Sequence, residues 1–175
     1  LMRKTLTVAP MTRVEGHLDI SVTLDVKKTS QRVVAAKSSG TMFRGFELIL
    51  RGRDPRDAVH LTQRICGVCP ISHGMASSKN LESAMGIAPT DNGRILRNLV
   101  LGSNFIQSHI LHFYHLAALD YIDTSAALPL SPWMPRTVTP DMDSGSLASR
   151  LIDHYVQALT MRRMAHQMGA IFGGK

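Results

Sequence analysis

Two cysteines three residues apart carry the strongest chemical signal in the chain. They lie in Arg64-Ile65-Cys66-Gly67-Val68-Cys69-Pro70-Ile71-Ser72-His73 and are the only two cysteines among 175 residues. Two thiolates at this spacing, with Gly67 freeing the backbone between them, can converge on one soft or borderline transition metal. Arg64 offers positive charge that favours thiolates, and His73, four residues past Cys69, can donate a hydrogen bond to sulfur. The same pair also suits a redox dithiol, half of a four-ligand zinc site, or two inert buried thiols. Spacing alone leaves metal binding level with those alternatives.

Two carboxylates come next. In Thr12-Arg13-Val14-Glu15-Gly16-His17, Glu15 sits between a cation and a glycine at the start of a strand. It is a proton carrier if it faces a metal site, where burial raises a carboxyl pKa. Otherwise it is an exposed partner of Arg13, which the residues alone favour. In Arg44-Gly45-Phe46-Glu47, the Glu47 oxygen suits a hard Mg²⁺-like ion. A helix-surface pair with Arg51, four residues on, is the simpler reading. His109, His112 and His115 recur at i, i+3 and i+6 with Asp120 beyond, a pattern that can hold a metal. Histidines bonded to neighbouring backbone, or lining an interface, explain it more simply. A Gly-rich phosphate loop, a Ser-His-Asp pattern and a dominant pair of carboxylates are all lacking, so hydrolase and nucleotide chemistry gain no support.

These residues need elements to position them. His17 to Val26 alternates apolar and polar residues, the pattern of a half-buried strand, and Lys27-Lys28-Thr29-Ser30 turns the chain into a return strand over Arg32–Lys37. From Met42 the period becomes helical. Asp54-Pro55 starts a helix to about Ile65; a second runs from Pro70 to Met85 and stops at Gly86. Thr90 or Asp91 caps a third that reaches about Ile122. Its apolar residues surround it, which predicts burial within a bundle. Ser125–Asp143, with Pro129, Pro132, Pro135 and Pro140, reads as an irregular connection. Ser144 caps a last helix ending at Gly173-Gly174-Lys175. The expected fold is α+β: a small N-terminal hairpin or sheet lobe over residues 1–41, then a mainly helical bundle segment over 42–175.

Composition agrees with a folded globular chain: 44% hydrophobic, 19% charged, and 20 basic against 13 acidic residues for a net charge of +7. With aromatics at 5% and no basic–aromatic clusters, a nucleic-acid stacking platform is excluded as an expectation. No apolar run approaches the ~18 residues of a membrane span, and Leu1–Pro10 is too short for a secretory signal. Ten methionines are expected to fill a soft core. Two cysteines cannot form a disulfide framework.

In their order and spacing, these stretches resemble the N-terminal part of a [NiFe] hydrogenase large subunit. The likeness is carried by Arg13-Val14-Glu15-Gly16-His17, Met42-Phe43-Arg44-Gly45-Phe46-Glu47 and Arg51-Gly52-Arg53-Asp54-Pro55-Arg56-Asp57. It continues through Arg64–Cys69 with His73, Ser108-His109-Ile110-Leu111-His112-Phe113-Tyr114-His115-Leu116, and His166 to Lys175. The resemblance implies reversible heterolytic cleavage of H₂ to protons and electrons. Cys66 is then a terminal thiolate on nickel and Cys69 bridges nickel and an iron that carries carbon monoxide and cyanide. His73 bonds near the bridging sulfur, with Arg64 beside the site; Glu15 gates the proton path and Glu47 holds Mg²⁺ or a similar ion.

The family takes two further cysteine ligands from near the end of a much longer chain. The expectation is therefore a split subunit or a fragment, active only with a chain or segment supplying the C-terminal half. Its expected partner is a small subunit bearing iron–sulfur clusters. Export to the periplasm on a partner's signal is preferred over the cytoplasm, with membrane association only through partners. The rivals are a non-catalytic complex I-like subunit, which as a rule lacks the paired cysteines, and a small zinc or dithiol redox module.

Overall fold

The computed structural model describes all residues except 1, 13, 124–129, 132–133, 135–138, 143–144 and 175. The chain forms two compact units, residues 1–45 and 46–175.

In the first unit, β1 (Met2–Val8), β2 (Leu18–Val26) and β3 (Gln31–Gly40) form an antiparallel sheet in the order β1-β2-β3. The expected hairpin is β2 with β3, and its outer edge accepts β1 as a third strand. The β1–β2 register is marked on one face by polar rungs: Thr5 Oγ1 lies 3.3 Å from Thr23 Oγ1, Thr7 Oγ1 lies 3.0 Å from Ser21 Oγ, and Arg3 Nε donates to Asp25 over 2.9 Å. The other face pairs Met2, Leu6 and Val8 with Val26, Val22 and Ile20. A register shift at Thr23/Leu24 leaves Val34 without a partner across the ladder.

The second unit is helical: α1 (Phe46–Ile49), α2 (Ala58–Thr62), α3 (Pro70–Met85), α4 (Asp91–Ile110) and α5 (Ser146–Gly173). The helix expected from Asp54 to Ile65 is shorter. A 3₁₀ turn at Pro55–Asp57, capped by Asp54, leads into the five-residue α2, and four-residue turns carry the chain through Arg64 and Ile65. The α3 limits match the sequence expectation, with Gly86 at φ 66° closing the helix. Thr90 caps α4 by accepting from the Gly93 N–H over 3.3 Å. The expected run to Ile122 is not all α-helix: Leu111–Ala117 is π-helical and Ala118–Asp120 is 3₁₀. Of the expected connection, Pro129, Pro132 and Pro135 lie outside the described residues, as do Ser144 and Lys175. Gly174 at φ 67° ends α5.

Burial within this chain differs from two expectations. Ser103, Asn104 and Gln107 are the buried residues of α4, and Ala148, Ala158, Ala165 and Gly169 those of α5. These small and polar side chains let helices approach closely: a methyl on Gly169 would meet Ser103 Oγ at 2.8 Å. Ile95, Leu96, Leu99, Phe105, Ile106 and Phe113, expected inside a bundle, are each about half exposed. Methionines 161, 164 and 168 of α5 are likewise exposed, so they do not fill a core here. An ion pair between Arg97 and Glu82 ties α4 to α3. No described helix is long and apolar enough to cross a membrane.

Candidate metal centre

The two thiols lie in the turn between α2 and α3. Pro70 opens α3, where its missing N–H costs no helical hydrogen bond, and Cys69 precedes it with φ −122° and ψ 41°. That backbone bend turns the Cys69 N–H back onto Cys66, whose Sγ accepts it over 3.3 Å. The His73 N–H then bonds the Cys69 carbonyl over 3.3 Å and binds the turn to the helix. Cys66 is 7% exposed, Cys69 is half-buried, and no disulfide joins them. His73 is half-buried in the first turn of α3, whereas Arg64 is exposed.

Glu47 belongs to the same unit but is exposed on the short α1, and among the described residues no ion pair joins it to Arg51. Glu15 belongs to the other unit. It is exposed in the bend between β1 and β2, beside Gly16 at φ 107°; Arg13 lies outside the described residues. The three histidines do not converge on one point. The His109 Nδ1–H donates to the Phe105 carbonyl over 2.8 Å, and the His115 Nε2–H donates to the Tyr155 carbonyl over 3.1 Å. His112 is exposed.

The donors present suit a soft metal as far as they go. Two sulfurs within one turn, one of them buried, match thiophilic ions such as nickel or zinc. Among the described residues no group of three or more His, Cys, Asp or Glu could hold an ion. A centre at this turn therefore needs ligands from elsewhere.

Sequence reasoning missed two residues near the turn. Gln107 is 1% exposed, and neither its Oε1 nor its Nε2 has a hydrogen-bond partner among the described residues; the same holds for Gln63 Oε1. Both line a cavity of about 510 Å³ that also touches Pro70, Gly74, Asn104 and Gly169. The available signal was the polar set Ser103, Asn104 and Gln107 interrupting an apolar helix.

Residues 44–144, more than half of the chain, match the family described as nickel-dependent hydrogenase, and residues 5–33 match one described as HoxL-like. The chain belongs to the nickel-dependent hydrogenase family. It is 50% identical to the periplasmic [NiFeSe] hydrogenase large subunit of Desulfomicrobium baculatum over 97% of this chain and 34% of that protein. It is 36% identical to the quinone-reactive Ni/Fe-hydrogenase large chain of Wolinella succinogenes, over 99% of this chain and 37% of that one. Among solved structures, the Ni-Fe-Se hydrogenase of D. vulgaris Hildenborough in its oxidized state is similar with a TM-score of 0.79 and 48% identity, covering 99% of this chain and 35% of that one. The chain thus spans about a third of the length of the hydrogenases it matches. Membership makes nickel the metal to test at the paired thiols, and the α+β order of sheet then helices is that of the family's large subunits.

Proposed function

We propose that this chain supplies two thiolate ligands to the nickel–iron centre of a hydrogenase large subunit catalysing H₂ ⇌ 2 H⁺ + 2 e⁻. The observation that carries the reading is the Cys66–Cys69 turn, with one thiol buried and hydrogen-bonded to its neighbour's N–H, in a chain of this family. Cys66 holds nickel as a terminal ligand. With it, Cys69 would hold the nickel and the iron of the group, and the iron would bear carbon monoxide and cyanide. When bound, the centre supplies heterolytic cleavage of H₂. His73 donates to the bridging sulfur and orients it, while Arg64 contributes positive charge near the turn. The Glu15 carboxylate takes up and releases the departing proton, and Glu47 holds Mg²⁺ or a similar ion.

Two partners are proposed. A small subunit with iron–sulfur clusters carries the electrons, because both cysteines of this chain are committed to the metals. The remaining large-subunit polypeptide supplies the other ligands and covers the exposed apolar sides of α4 and α5. Residues 1–41 act as the lobe bearing Glu15 and residues 42–175 as the bundle segment bearing the thiols. The proposal favours the periplasm over the cytoplasm for the assembled enzyme; the periplasmic Desulfomicrobium relative supports it. An infrared spectrum of the anaerobically purified complex tests the reading. One carbon monoxide band with two cyanide bands supports it; a blank spectrum from intact complex favours the dithiol or non-catalytic reading instead.

A further inference from the structure

Gly74 is an anomaly inside α3. Glycine weakens a helix interior relative to alanine, and the backbone here is ordinary right-handed helix, so no left-handed conformation requires it. Its explanation is packing. Gly74 is the buried residue of α3, and a methyl on its Cα would lie 2.5 Å from Nε2 and 3.1 Å from both Cδ and Cγ of Gln63. The outer half of the Gln63 side chain therefore rests directly on the α3 backbone.

The two residues bracket the thiols. Gln63 ends α2, three residues before Cys66; Gly74 lies in the first turns of α3, five residues after Cys69. A five-residue helix such as α2 cannot hold its own position without tertiary anchorage. Gln63 provides that anchorage by contact: it is 9% exposed, and its buried Oε1 has no hydrogen-bond partner among the described residues.

We infer that Gln63, seated on Gly74, is a positioning residue that sets the gap between the end of α2 and the first turns of α3 and so fixes the Cys66 and Cys69 sulfurs in one arrangement. This rests on the reading above for nickel, but the fixing of the thiols does not need the metal to be present. An alanine at position 74 meets three atoms of Gln63 at once, so rotating the terminal amide does not clear it. The amide end must turn away and Cδ and Cγ must give by a few tenths of an ångström, a shift toward the adjoining cavity that is passed to the end of α2.

The test uses the full-length large subunit in its assembled complex, produced in its native source. Two quantities are read: nickel per complex, and the alkylation rate of Cys66 in protein from nickel-depleted growth. Gly74→Ala is expected to lower nickel content about twofold to threefold and to raise the alkylation rate of Cys66. Gln63→Ala removes the contact altogether and gives a larger change in the same directions. Combining them should be no worse than Gln63→Ala alone, because the added methyl then has nothing to displace. Gly102→Ala, at a helical glycine of α4 facing open space, is the control and should leave both readings unchanged. A Gly74→Ala effect that persists without Gln63, or an unchanged Cys66 rate in Gln63→Ala, overturns the inference. If the parent complex lacks nickel while the alkylation rates keep the expected order, the positioning role stands and the nickel reading falls.

Discussion

The backbone N–H of Cys69 donates to the sulfur of Cys66 over 3.3 Å. The second cysteine thus contributes twice to the turn, through its own sulfur and through a donor that orients its neighbour's. The donor at position 69 is the main chain, so the contact survives side-chain substitution there and separates ligation from turn geometry.

Cys69→Ser should therefore keep the turn and lose the metal. Elemental analysis of the purified complex is expected to show nickel reduced about tenfold or more. Retained nickel together with full H₂ oxidation would remove Cys69 from the ligand set.

Glu15→Gln keeps the size of the side chain and removes its exchangeable charge. The expected result is H₂/D⁺ exchange slowed about a hundredfold, with nickel content and infrared bands unchanged. Undiminished exchange takes Glu15 off the proton route.

Asp54 offers a pH test of the approach to the thiol turn. Its carboxylate is held at about 2, below its ordinary value of 3.8, chiefly because it accepts from the Arg56 guanidinium and also from the Arg56 N–H. A carboxyl depressed in the folded chain favours folding above its ordinary value and loses that contribution as pH falls from 3.8 towards about 2. Asp54→Ala should lower Tm by about 2 °C near neutrality, with the gap to the parent closing in acid. A gap that stays constant to the lowest pH measured would refute the cap. Because the pair is exposed, added salt should narrow the gap as well.

Gly169→Ala should loosen α5 from α4. The new methyl would lie 2.8 Å from Ser103 Oγ, whose hydroxyl already donates to the Val100 carbonyl over 2.6 Å and has little freedom to turn away. A loss of about 1–3 kcal/mol is expected in denaturant melts. Ser103→Ala should recover part of it, and no loss in the single variant would show that the two helices are not in close contact.

The sequence was most legible where short-range chemistry decides the structure. Pro70 and Gly86 fix the limits of α3, Thr90 starts α4 and Gly174 ends α5, each through a local backbone constraint. The closeness of the two thiols was legible for the same reason, because a three-residue spacing is a local property. Burial within this chain was less legible because it depends on neighbours. Apolar residues all round α4 imply partners on every side, but they do not say that this chain supplies them, and here the inner side belongs to Ser103, Asn104 and Gln107. The π-helical turn at Leu111–Ala117 left no mark in the apolar spacing. Gln63 was missed because its value lies in contact with a glycine eleven residues away.

The rungs of the N-terminal sheet have a consequence for Glu15. Moving β1 along β2 by one residue would turn every β1 side chain to the opposite face, and it would draw a residue into or out of the connection over 9–17. Thr5 with Thr23, Thr7 with Ser21, and Arg3 with Asp25 oppose such a slip, and the Met11 N–H to the Leu18 carbonyl at 2.7 Å closes the base of the connection. The amount of chain left over for the bend at Glu15 and Gly16 is therefore fixed by hydroxyls and charges on an exposed strand. The sheet works as a ruler: it measures out the tether on which the carboxylate is carried.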